Sequence, residues 1–118
     1  MRVLLAEDDD DLRRLFARIL VKRGHEVCEA ADGLEALECL DRFRPDLILT
    51  DLMMPTLDGI ELIRRIRARA DLEAIPIVAM TAAPTLEAVI EAGRHGATDL
   101  LAKPVDPGDL LGCLERPR

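Results

Sequence analysis

Five polar residues of the kind that carry chemistry sit at the ends of short apolar runs. Val3-Leu4-Leu5-Ala6 leads into Glu7-Asp8, and Leu47-Ile48-Leu49 leads through Thr50 to Asp51. Ile77-Val78-Ala79-Met80 leads into Thr81, and Leu100-Leu101-Ala102 leads into Lys103-Pro104. A carboxylate at the end of a buried strand is costly unless something offsets its charge. In open α/β sheets, ligands bind at the carboxyl ends of the strands. The pattern therefore predicts one site at one sheet edge, built from Glu7, Asp8, Asp51, Thr81 and Lys103.

Three carboxylates at one edge repel each other, so either one is protonated or a cation sits among them. Oxygen donors without His or Cys favour a hard ion; two carboxylates, a backbone carbonyl and water suit Mg²⁺. A hydroxyl, an ammonium, backbone amides and a divalent ion make a cradle for a phosphoryl group. Asp51 is then the candidate nucleophile, and its attack on phosphorus gives an aspartyl phosphate. Plainer roles stand beside these. Asp9 to Asp11 also read as a solvated acidic run at the start of a helix, with Asp10 as its cap. Lys103 reads equally as a salt bridge to Asp51 that only neutralises the edge. The Lys103-Pro104 bond is expected to be cis, an isomer often used in a sharp turn.

The elements that must position these groups follow a β-then-α rhythm. Strands are predicted at Arg2–Ala6, His25–Ala30, Leu47–Asp51, Ile75–Thr81 and Leu100–Ala102. The first helix carries Leu12, Phe16, Ile19 and Leu20 on one face and ends at Gly24. The second opens at Asp32-Gly33 and stops at Pro45-Asp46. The third is capped by Asp58 and runs to about Arg69, with Arg64, Arg65 and Arg67 as its solvated face. Pro84 is placed at the start of a fourth helix that ends near Glu91. On that helix, Leu86, Val89 and Ile90 either pack on the sheet, the commoner outcome, or form a partner surface. A short fifth helix begins at Pro107. The fold expected is α/β, a flavodoxin-like (βα)5 three-layer sandwich with parallel strand order 2-1-3-4-5. Asp8 and Asp51 then lie side by side at the switch point.

Composition bounds the rest. The 118 residues suit a single domain, residues 1–118, with 49% apolar and 33% charged content. Aromatics are limited to Phe16 and Phe43, so the core is built from aliphatic side chains. A net charge of −7 argues against nucleic-acid binding and against adhesion to anionic membranes. No apolar run approaches the ~20 residues of a membrane span. Cys28, Cys39 and Cys113 lack metal-type spacing and read as small apolar core residues in a reduced, cytoplasmic chain.

Taken together, these motifs make the chain similar to a response-regulator receiver domain of two-component signalling. The likeness rests on Glu7-Asp8, on Asp51-Leu52-Met53-Met54-Pro55 with Asp58-Gly59, on Thr81-Ala82 and on Lys103-Pro104, in register with the strands. The resemblance implies that Asp51 is the phosphoacceptor. It implies that Asp8, Asp51 and the backbone carbonyl of Met53 bind Mg²⁺, that Glu7 assists through water, and that Thr81 and Lys103 grip the phosphoryl group. The implied donor is a phosphohistidine on a sensor histidine kinase or histidine phosphotransfer protein, and the implied output is a changed surface read by a downstream protein. Such a domain is a signalling module rather than an enzyme with turnover on an external substrate.

The chain departs from the family pattern at Leu100, where members usually carry Tyr or Phe three residues before the lysine. The ring half of the usual switch is therefore missing, and a muted change around the fourth helix and fifth strand is expected. Met53 and Ala83 provide no acid, base or amide to orient an attacking water, so slow self-dephosphorylation is expected. Three rivals compete. A haloacid-dehalogenase-type phosphatase needs an Asp where Met53 stands, and a nucleotide-binding Rossmann module needs a Gly-rich loop after the first strand. The third is a degenerate receiver that serves only for docking or dimerisation. The chain is expected to be either a stand-alone receiver working by protein–protein contact or one cut from a longer regulator or hybrid kinase, and the tail, Glu115-Arg116-Pro117-Arg118, reads as the start of a linker in the second case.

Overall fold

The computed structural model describes residues 1–115. The expected linker start, residues 116–118, lies outside them. Five strands, β1 (Arg2–Ala6), β2 (Glu26–Ala30), β3 (Leu47–Asp51), β4 (Ile77–Thr81) and β5 (Asp99–Ala102), form one parallel sheet in the order β2-β1-β3-β4-β5. The helices are α1 (Asp10–Lys22), α2 (Gly33–Leu40), α3 (Gly59–Arg67), α4 (Leu86–His95) and α5 (Pro107–Glu115), with a 3₁₀ turn at Ala70–Leu72.

Alternation along the strands divides the core in two. Val3, Leu5, Leu47, Leu49, Val78 and Met80 face one side, where Phe16 and Leu20 of α1 and Leu110 and Leu114 of α5 cover them. Leu4, Ala6, Ile48, Ile77 and Ala79 face the other, under α2, α3 and Ala92 of α4. Both faces of the central strands are buried, which is why β3 and β4 open as apolar runs, Leu47–Leu49 and Ile77–Met80, ahead of their polar ends. Each fully buried Leu, Ile or Phe contributes on the order of 2 kcal/mol.

Several boundaries differ from expectation. Asp9, not Asp10, is the cap of α1: its extended backbone precedes the first turn, and its carboxylate accepts from Leu12 N–H at 3.1 Å. Asp10 is already helical and pairs with Arg13 at 2.7 Å. Helix α2 stops at Leu40, before Pro45. Pro84 lies ahead of α4, whose cap is Thr85, and α4 continues through Gly93 to His95. Gly96 closes it with φ 117°, the left-handed geometry a helix stop demands.

Arg67 also departs from its expected place on a solvated face. Its guanidinium donates to the carbonyls of Gly96 at 3.0 Å, Leu72 at 3.0 Å, Glu73 at 3.1 Å and Ile75 at 2.7 Å. It thereby ties the end of α3 to the 3₁₀ turn, the approach to β4 and the end of α4. Arg64 and Arg65 do face solvent, paired with Glu61. On α4, Ala92 is the buried residue, while Leu86, Val89 and Ile90 are exposed at 75%, 45% and 49%. The expectation that these three pack on the sheet is thus corrected.

Candidate functional site

The carboxyl ends of β1, β3, β4 and β5 meet at one edge, and the predicted residues come together there. Lys103 is the hub. Its ammonium donates to Glu7 Oε1 at 2.6 Å and to Asp51 Oδ2 at 2.8 Å. Glu7 is fully buried and Asp51 is 5% exposed, so both charges are compensated where solvent cannot do it. Asp8 is exposed beside them, and one carboxylate oxygen from each of Glu7, Asp8 and Asp51 falls within 4.8 Å of the others. Three carboxylates against one ammonium leave two net negative charges when all are ionised.

Local hydrogen bonds fix each group. Glu7 Oε2 accepts from Asp9 N–H at 3.1 Å, so both oxygens of its carboxylate are engaged. Burial pushes the Glu7 carboxyl above its ordinary pKa; the Asp51 charge adds to this, while the hydrogen bonds from Lys103 and Asp9 work against it. For Lys103, burial opposes the charge, but hydrogen bonding to Asp51 and Glu7 carries its pKa above the ordinary value. Asp51 Oδ1 accepts from Met53 N–H at 3.2 Å, and Thr81 Oγ1 accepts from Ala83 N–H at 3.1 Å. The Lys103 N–H donates to the Thr81 carbonyl at 2.8 Å, joining the ends of β4 and β5. The Lys103-Pro104 peptide is cis, as expected.

Two contributors lie outside the set of site residues expected from the sequence. Arg13, one turn into α1, donates to the Glu7 carbonyl at 2.9 Å and pins the acidic loop; a basic residue one turn beyond an acidic run was the available signal. Gly59 lets the start of α3 approach the end of β3, its N–H donating to the Leu52 carbonyl at 3.0 Å. A Cβ there would stand 2.2 Å from the Asp51 carbonyl oxygen. Between the loops after β3 and β4 lies an open cavity of about 440 Å³, walled by Met53, Ile60, Thr81, Ala82 and Ala83.

Oxygen donors, a net negative charge and a neighbouring ammonium fit a hard divalent cation and an anionic group together. Comparison with known proteins agrees. The family model "Response regulator receiver domain" matches residues 3–115. The chain belongs to the response regulator receiver family. The receiver is 40% identical over 111 residues to response regulator MprA of Mycobacterium leprae, covering 94% of this chain and 48% of that protein. It therefore spans about half of MprA's length. It superposes on the chemotaxis response regulator CheY4 of Vibrio cholerae with TM-score 0.92 and 35% identity, covering 98% and 96% of the two chains. The receiver domain of the Pseudomonas aeruginosa sensor histidine kinase PA1611, solved with a magnesium ion in its active site cleft, gives TM-score 0.88 and 34% identity, covering 98% and 94%. The strand order and flavodoxin-like fold expected from the sequence are those observed, and the chain is a receiver domain of two-component signalling.

Leu100, the departure from the family pattern, is half-buried against the α2–α3–α4 side of the core. An open cavity of about 300 Å³ lies beside it, lined also by Val89, Ala92, Gly93 and Thr98. No described helix is long and apolar enough to cross a membrane.

Proposed function

We propose that Asp51 is the phosphoacceptor of this receiver and that Thr81 and Lys103 hold the transferred group. The observation that carries this reading is the Lys103 ammonium held between two buried carboxylates, Glu7 and Asp51, with exposed Asp8 alongside. An Asp51 oxygen attacks phosphorus of a phosphohistidine, the P–N bond breaks, and the imidazole leaves and recovers a proton. Lys103 then shifts its donors toward the incoming phosphoryl oxygens, and the Thr81 hydroxyl is within the same edge to donate to them.

Asp8, Asp51 and the Met53 backbone carbonyl would hold Mg²⁺, with Glu7 assisting through water; the cation supplies charge neutralisation during transfer. The PA1611 receiver, solved with magnesium in its cleft, supports this choice of ion. The donor is a sensor histidine kinase or histidine phosphotransfer protein in the cytoplasm. A downstream protein effector reads the phosphorylated surface, for which the exposed Leu86, Val89 and Ile90 on α4 are available. Residues 1–118 act as one domain, without nucleic acid or membrane as direct partners.

Beryllofluoride, a phosphoryl mimic, tests the set. The expected result is a complex that requires Mg²⁺ and is lost in Asp51→Asn and Lys103→Ala. Mg²⁺-independent binding, or full binding by Asp51→Asn, would overturn it, and no complex under any condition would favour the docking-only reading.

A further inference from the structure

Two of the three cysteines meet across the β2–α2 layer. Cys28 sits in the middle of the edge strand β2, paired with Leu4 of β1, and Cys39 sits in the last turn of α2. Alternation sends Val27 to the α1–α5 side and Cys28 to the side that α2 covers, where Cys39 is buried. Their sulfurs are 2.6 Å apart, about 0.6 Å beyond the ~2.05 Å of a disulfide bond. Both thiols are free. The two differ in access: Cys39 is 1% exposed, whereas Cys28 is only partly covered, because β2 has no strand beyond it. Nothing in receiver phosphorylation uses either group.

We infer that Cys28 and Cys39 form an oxidation site, closed by a peroxide into an intramolecular disulfide that ties β2 to α2. Cys28 attacks the peroxide O–O bond and becomes a sulfenic acid, releasing one water. Cys39 then attacks the Cys28 sulfur, the S–O bond breaks, and a second water leaves. The two thiols lose two electrons in total, and these reduce one hydrogen peroxide to two waters. The order follows from access, since the outer sulfur meets the oxidant first. Burial, with the Cys28 contact, pushes the Cys39 thiol up to about 12, so it is not the first to react. The Arg42 guanidinium, with Nη2 3.8 Å from Cys39 Sγ, is placed to stabilise the thiolate as it forms. Cys113, buried on the other side of the sheet, has no part in the reaction.

The test treats the folded, reduced chain with hydrogen peroxide, removes the peroxide, unfolds the chain in denaturant to block remaining thiols with iodoacetamide, and maps peptides without reductant. Trypsin leaves Cys28 and Cys39 on one peptide, residues 24–42. The expected product is that peptide lighter by two hydrogens, unalkylated and restored by dithiothreitol, from a monomer in which Cys113 is still alkylated. In Cys39→Ser, a dimedone-trapped sulfenic acid is expected on Cys28. Doubly alkylated peptide after peroxide exposure, interchain dimers as the main product, or oxidation confined to Cys113 would each overturn the inference.

Discussion

The close approach at Gly59 gives the sharpest mutational test of how the fold positions Asp51. In Gly59→Ala, the new Cβ would lie 2.2 Å from the Asp51 carbonyl oxygen, 2.6 Å from Leu52 Cα and 3.0 Å from the Asp51 carbonyl carbon. All three are backbone atoms and cannot swing aside. Ordinary contact needs about 3.5 Å, so α3 and the end of β3 must separate by roughly 1 Å. Overpacking of this kind costs ~1–3 kcal/mol. Weakening the 3.0 Å bond from Gly59 N–H to the Leu52 carbonyl adds about 1 kcal/mol. The helix gains roughly 0.5–1 kcal/mol from Ala over Gly, which leaves a net loss of about 1–3.5 kcal/mol. At about 4 °C per kcal/mol, the thermal midpoint falls by roughly 4–14 °C. A 1 Å displacement of Asp51 also slows phosphoryl uptake by on the order of 100-fold. Gly112→Ala is the matched control. It lies inside α5, and its Cβ would meet nothing within 4 Å, so it should gain about 0.5–1 kcal/mol. Thermal unfolding followed by far-UV circular dichroism reads both, and intact-mass kinetics with acetyl phosphate reads the uptake. Equal stability for Gly59→Ala and wild type, or a loss in Gly112→Ala, would refute the reasoning.

Arg67→Ala should destabilise by about 2–3 kcal/mol, because four carbonyls lose one donor group; Arg67→Lys should recover less than half, since a point ammonium cannot span them. Urea unfolding measures both, and a loss under 0.5 kcal/mol or so in Arg67→Ala would contradict the role. Without divalent cation, the raised Glu7 pKa means that the folded chain holds this proton more tightly than the unfolded chain. Its contribution is present below the ordinary value of 4.5 and is lost as pH rises through the higher folded value. Wild type should therefore lose stability relative to Glu7→Gln as pH rises across that window, and a flat difference would speak against it. Leu100→Tyr should enlarge the chemical-shift changes on α4 and β5 when beryllofluoride binds, and equal changes in both proteins would remove Leu100 from the switch. With Met53 and Ala83 flanking the site, the phosphoryl group should persist for minutes or longer; a half-life of seconds would reject that expectation.

Much of this was legible because the physics was local. Apolar runs ending in Glu7-Asp8, Asp51, Thr81 and Lys103 mark buried parallel strands, and the (βα)5 rhythm leaves little choice of where those ends meet. Caps such as Asp32 and Asp58 announce their helices through side chains that reach an amide three residues on. What the chain hid depends on long-range packing. Arg67 looks like a surface arginine until the 3₁₀ turn and the end of α4 wrap around it. The apolar residues Leu86, Val89 and Ile90 resemble a core stripe, but only Ala92 of α4 is buried. Cys28 and Cys39 are eleven positions apart, and their meeting requires both the strand face and the helix phase.

The most direct test of the central claim is intact-mass analysis after incubation with acetyl phosphate and Mg²⁺, on wild type and Asp51→Ala. One phosphoryl group should be added to wild type, a gain abolished by chelating the metal and absent from the mutant. An equal adduct on Asp51→Ala, or one formed without divalent cation, would contradict it.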